Sequence, residues 1–184
     1  MTWLTNHFLV AMPSLAESIF ERTVILVCQH NDDGALGIVV NRTTELCLKD
    51  IIKELDLEAI DTPKLKQPVY FGGPVQVYRG LVLHDSANSW AATISVGSGL
   101  SLTMSKDVLE AISENKGPEL CMPLLGFAGW ESEQLESEMR NNVWLSTPVD
   151  SSIIFDTPIS ERWHRAASLV GVDIESLSSI AGNA

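Results

Sequence analysis

TVILVCQHNDDGALGIVVN, residues 23–41, decides the reading of the fold. Its first half, residues 23–30, is a run of β-branched and apolar side chains that suits a buried strand. Asn31, Asp32, Asp33 and Gly34 then predict a turn, because Asn and Asp side chains satisfy nearby backbone groups and Gly accepts positive φ. Residues 35–41 resume the apolar run, so the stretch predicts a β-hairpin, the unit of an antiparallel sheet.

Working outward, residues 8–12 (FLVAM) predict a short strand closed by Pro13, and residues 14–22 connect it to the hairpin with no more than one helical turn. Downstream, Leu48, Ile51, Ile52 and Leu55 recur at helical spacing. Residues 69–71 and 75–84 predict extended chain on either side of a Gly72-Gly73-Pro74 bend, and residues 90–96 and 100–104 alternate around a glycine turn. A helix capped by Ser105 carries Val108, Leu109 and Ile112. Residues 120–127 predict a strand that Pro123 marks as an edge or a bulge, residues 128–132 a turn, residues 133–142 a helix, and residues 144–149 a strand. Thr157 and Pro158 open a helix along Ile159, Trp163, Ala166, Ala167 and Val170, and Asp173 caps a last one with Ile174, Leu177 and Ile180 inward. Strands and helices interleave irregularly and no repeat is present, which predicts an α+β fold with a mostly antiparallel sheet in one domain, 1–184.

Composition limits the function. The chain has 184 residues, 45% of them apolar, with 12 Lys and Arg against 24 Asp and Glu, a net charge of −12. Phosphate contact depends on clustered Lys and Arg, so direct nucleic-acid binding is not expected. Cys28, Cys47 and Cys121 lack CxxC spacing and predict reduced thiols, and the apolar run at residues 8–12 is too short for a membrane span. The expected location is the cytoplasm.

Three segments gather unusual residues at predicted turns. In residues 30–41, His30 and Asn41 stand at opposite ends of the hairpin. In residues 70–84, the Gly72 and Gly73 amides form a candidate anion nest, Arg79 is a planar donor for carboxylate or phosphate, and His84 follows. In residues 126–145, Trp130 offers an apolar wall, Glu138 shares a stripe with Gln134 beside the buried positions Leu135 and Met139, and Glu136 stands four residues before Arg140 as its expected ion-pair partner. Each segment also has a plain structural reading: hairpin glycines, a bend, a solvated acidic face. Neither HExxH nor GxSxG occurs, so no metal, cofactor or serine nucleophile is expected.

Taken together, FLVAMPSL, FERTVILVCQHN, GALGIVVNR, VYFGGPV, RGLVLH, GFAGW, QLESE and NVWL resemble the AlgH/YqgE family of bacterial proteins over nearly the whole chain from Phe8. Two positions depart from that pattern: Thr43 stands where Pro is usual, and Glu133 where Gly is frequent. The resemblance implies an α+β fold with a curved, barrel-like sheet flanked by helices. It implies no established activity, and some members carry a transcriptional-regulator label. The expected function is therefore a ligand-binding or accessory module for a small anionic ligand or a protein partner, built from His30, Asn41, Gly72, Gly73, Arg79, His84, Trp130 and Glu138. The alternatives are a hydrolase using His30 or His84 with Glu138 for acid–base chemistry, and a regulator that acts indirectly.

Overall fold

A computed structural model describes residues 3–85, 87–174 and 176–177. In chain order its elements are β1 His7–Ala11, β2 Val24–Asn31, β3 Gly34–Val39, β4 Thr43–Cys47, α1 Leu48–Glu54, β5 Pro68–Phe71, β6 Val75–Asp85, β7 Thr93–Gly97 and β8 Leu100–Thr103. There follow α2 Asp107–Ser113, β9 Cys121–Glu131, α3 Gln134–Arg140, β10 Trp144–Pro148, α4 Ser151–Phe155 and α5 Arg162–Ser168. The fold is α+β with a mostly antiparallel sheet, as expected, and only the β5–β9 pair is parallel among the described residues. Pairing runs β10-β1-β2-β3-β9-β6-β8-β7, with β4 and β5 off this path, and β10 does not pair with β7 among the described residues. The barrel-like expectation therefore holds loosely: the sheet is not closed.

The chain divides into two compact units, one holding residues up to Asn41 and from Ala128 onward, the other Arg42–Phe127. In the first unit, β10, β1, β2, β3 and the last residues of β9 pair in that order. Leu9, Ile25, Val27, Val39, Leu135 and Trp144 pack its core. In the second, Leu48, Ile52, Val82, Val108 and Ile112 form the core around α1, α2 and β6.

The decisive hairpin forms as its sequence dictates. The Asn31 side chain accepts from the Asp33 amide at 3.0 Å, Gly34 takes φ 128°, and β2 pairs with β3 from Ile25↔Val39 to Asn31↔Gly34. A β-carbon on Gly34 would run into the Trp130 carbonyl oxygen, so that glycine serves both the turn and the approach of β9. Helix α1 begins where its apolar stripe begins, with the Asp50 carboxylate accepting from the Cys47 amide at 2.9 Å.

Four expectations change. Residues 128–131 are strand instead of turn, because Gly126 at φ 71° lets β9 bend and continue, and β3 then supplies backbone partners in the register Ala35↔Trp130 and Gly37↔Ala128. Pro123, expected to mark an edge or a bulge, lies in a strand interior to the sheet: it stands opposite Val82 of β6, one residue before parallel pairing with β5 begins at Leu124. Ser105 does not cap α2: Lys106 holds that position, and the Ser105 hydroxyl donates to Asp107. The helix expected from Thr157 is a 3-10 turn at Ile159–Glu161 leading into α5, while the Thr157 hydroxyl closes the unforeseen α4 by donating to the Ser152 carbonyl. Strand β4 was also not foreseen. Val170, expected on the apolar face of the C-terminal helix, is exposed, because α5 ends at Ser168. Ile174 is buried as expected, and Ile180 lies outside the described residues.

Candidate functional site

Helix α3 carries the most developed polar site of the first unit. Leu135 is buried in the core, which turns Gln134 and Glu138, one helical turn apart, along the adjacent stripe. Glu138 Oε2 accepts two indole N–H bonds, from Trp130 at 2.8 Å and from Trp144 at 2.7 Å, while the Gln134 amide donates to Oε1 at 2.9 Å. The Gln134 side-chain oxygen in turn accepts from the Glu131 amide at 3.0 Å. Glu138 is half-buried, its three donors are all uncharged, and none of the ion pairs among the described residues includes it. Beside it lies a cavity of about 320 Å³ walled by Leu15, Phe20, Ala128, Trp130, Val143 and Trp144. Trp144 meets Trp130 at 6.2 Å and 78°, and Phe20 at 5.8 Å and 71°, both edge to face. Trp130 lies against β3 because Gly37 leaves room: a β-carbon there would come within 3.2 Å of its ring.

His30 faces a different carboxylate. Its Nε2 lies 3.0 Å from Glu136 Oε1, and its Nδ1 accepts the Leu4 amide at 3.1 Å, with the Trp3 ring edge-on at 5.1 Å. Glu136 was expected to pair with Arg140. It reaches His30 because α3 packs against β3, whose Ala35 is paired with His30. Asn41 brackets the entry to β2: Oδ1 accepts from the Val24 amide and Nδ2 donates to the Arg22 carbonyl, each at 2.8 Å.

The remaining expected site residues belong to the second unit. The Gly72 amide donates to the Leu125 carbonyl at 2.8 Å, and a β-carbon on Gly72 would strike the Gly126 carbonyl, so this glycine serves the close approach of β9. Gly73 takes φ 152° at the bend. Arg79 is exposed on β6, with Nη1 donating to Gln76 at 3.1 Å. His84 is fully buried, its Nδ1 bonded to the Asp85 carbonyl and its Nε2 to the Thr103 hydroxyl at 2.8 Å. Burial pushes the Cys28 and Cys121 thiols up, the Gln67 hydrogen bond opposing it in part at Cys121, so neither is poised as a nucleophile. Among the described residues, no three His, Cys, Asp or Glu side chains converge at metal-binding distance, and no helix is long and apolar enough to cross a membrane.

A family described as AlgH-like matches residues 8–175. The chain belongs to the AlgH-like family. It is 50% identical to a UPF0301 protein of Methylococcus capsulatus, covering 98% of this chain and 96% of that protein. It is 44% identical to a UPF0301 protein of Nitrosococcus oceani, covering 100% and 98%. The solution structure of the AlgH protein from Pseudomonas aeruginosa superposes with a TM-score of 0.81 at 42% identity, covering 100% of this chain and 97% of that one. A Corynebacterium diphtheriae crystal structure at 22% identity shares the fold, with a TM-score of 0.74 over 95% and 91% of the two chains. None of these names assigns a catalytic activity.

In this AlgH-like chain, periodicity alone placed Glu138 beside Gln134, and the composition of residues 126–145 drew attention to Trp130. The meeting of Trp144 with Glu138 and the Glu136–His30 pair needed the fold, and Phe20 lies in a connection with no periodic signal to mark it.

Proposed function

We propose that this AlgH-like protein is a binding or accessory module and that its ligand or partner group sits in the cavity beside Glu138. One observation carries the reading: a carboxylate held by three neutral donors forms, with Gln134, the polar wall of a mainly apolar and aromatic cavity. Preformed apolar walls with a few oriented polar atoms are the usual make-up of a ligand pocket.

Two other readings have less support. The hydrolase alternative needs a histidine free to exchange protons beside Glu138. His30 instead pairs with Glu136 and accepts the Leu4 amide, and both nitrogens of His84 are bonded within the second unit. The anionic-ligand reading draws on Arg79 with the Gly72 and Gly73 amides, and the Gly72 amide is already committed to Leu125. A protein partner presenting a side chain fits the cavity reading equally well. The net charge of −12 supports a regulator that acts without touching nucleic acid, the odd cysteine set supports a cytoplasmic address, and one 1–184 domain is kept as the folding unit.

The test is a thermal-shift screen of the whole chain against cationic, neutral and anionic small molecules, followed by ¹H–¹⁵N spectra of the hits. Stabilising compounds should move the Trp130 and Trp144 indole signals. A screen without a single such compound, or turnover of phosphoesters or esters that Glu138→Gln abolishes, would overturn the reading.

A further inference from the structure

We infer that the cavity beside Glu138 takes a small alkylated ammonium compound, of the trimethylammonium type. The inference rests on the preceding reading of the cavity as a binding site and adds the chemistry of the occupant.

Charge comes first. Glu138 is half withdrawn from water, and its described partners are two indoles and one primary amide, none of which carries a compensating charge. A carboxylate offers about four acceptor positions, and three are filled. The negative field is therefore fixed in place and uncompensated, which favours a cation and opposes an anion.

The walls then select among cations. Phe20, Trp130 and Trp144 stand at 71° and 78° in successive pairs, so their ring faces are turned in different directions around the space. Aromatic faces carry negative quadrupole density and attract a cation that has little water to lose. Leu15, Ala128, Gly129 and Val143 add no side-chain acceptor, and the side-chain oxygen of Gln134, which also lines the space, already accepts from the Glu131 amide. A bare ammonium group needs three acceptors and would leave N–H donors unpaired here, whereas a fully alkylated one needs none. The volume of about 320 Å³ lies at the small end of ligand pockets and suits a compact head group.

Choline, its neutral isostere 3,3-dimethyl-1-butanol and the anion 3,3-dimethylbutanoate separate charge from shape. Each is titrated into the whole protein while the Trp130 and Trp144 indole signals are followed. Choline should move both, with the neutral isostere about tenfold weaker or more and the anion without effect. Glu138→Gln, which keeps an acceptor for the indoles and removes the charge, should weaken choline by a similar factor and leave the neutral isostere unchanged. The wild-type comparison stands even if that variant is unstable. Equal binding of choline and the alcohol would overturn the ammonium assignment, as would selective binding of the anion, and both would leave the cavity as a binding site. Silence of both indoles toward these probes and toward the wider screen would remove the binding site as well.

Discussion

Trp130 and Trp144 donate their indole N–H groups to the same oxygen of Glu138, at 2.8 and 2.7 Å. One side chain of α3 thus ties the end of β9 to the start of β10. Both tryptophans are buried, so removing the acceptor strands two donors. An unpaired buried donor costs roughly 1–3 kcal/mol, so with two of them Glu138→Ala should lose about 2–6 kcal/mol and Glu138→Gln, which keeps an oxygen, less than about 1 kcal/mol. Urea unfolding followed by tryptophan fluorescence measures both. An Ala variant within about 0.5 kcal/mol of the parent would mean that water in the cavity satisfies the indoles.

His30 and His84 are held as opposite neutral tautomers. A backbone amide can only donate, so the Leu4 amide makes His30 Nδ1 an acceptor and leaves the proton on Nε2, toward Glu136. At His84 the Asp85 carbonyl can only accept, which places the proton on Nδ1. A directional chain then runs from the Trp90 amide through the Thr93 and Thr103 hydroxyls into His84 Nε2. Long-range ¹H–¹⁵N spectra at neutral pH should show the Nε2–H form for His30 and the Nδ1–H form for His84. Finding both rings in one tautomer would refute the assignment.

Glu133 occupies the left-handed region at φ 63°, at the N-cap of α3. A side chain there is strained by roughly 1–2 kcal/mol, while glycine gives part of that back through its looser unfolded state. Glu133→Gly should stabilise the chain by about 0.5–1 kcal/mol, a rise of about 1–4 °C in Tm for a domain of this size. Differential scanning calorimetry decides it, and a lower Tm would show that the Glu133 side chain contributes more than the strain removes.

Three aspartates have carboxyl pKa values below the usual range: Asp50 through bonds from the Cys47 amide and thiol, Asp107 through Ser105 and the Ala91 amide, and Asp150 through the Ser152 hydroxyl and amide. Because folding lowers these pKa values, their stabilisation is complete above the ordinary aspartate range and disappears as pH falls through the depressed folded values. The urea midpoint should therefore drop between about pH 5 and about pH 2, and a variant with all three changed to Asn should show a shallower drop. Asp50 and Asp150 are exposed and Asp107 is only half-buried, so each contributes modestly. An unchanged slope in the triple variant would place the acid sensitivity elsewhere.

Much of the hairpin and of α1 was legible because their determinants lie within a few residues of each other: β-branched runs around Asn31–Gly34, and an apolar stripe at Leu48, Ile51, Ile52 and Leu55. The same local periodicity put Glu138 beside Gln134. It misread residues 128–131, whose glycine looks like a turn in isolation and becomes strand only when β3 offers hydrogen bonds.

By itself, the sequence determined the α+β class and the family. These follow from composition, short-range pattern and quoted motifs, which act through neighbouring residues. Only the tertiary structure decided which polar groups meet. His30 finds Glu136, Asn41 spends both ends of its side chain on the backbone at Arg22 and Val24, and Glu138 collects two indoles from different strands. Those pairings depend on strand register and helix packing between segments far apart in the chain, where a buried donor takes whichever acceptor the fold brings within reach.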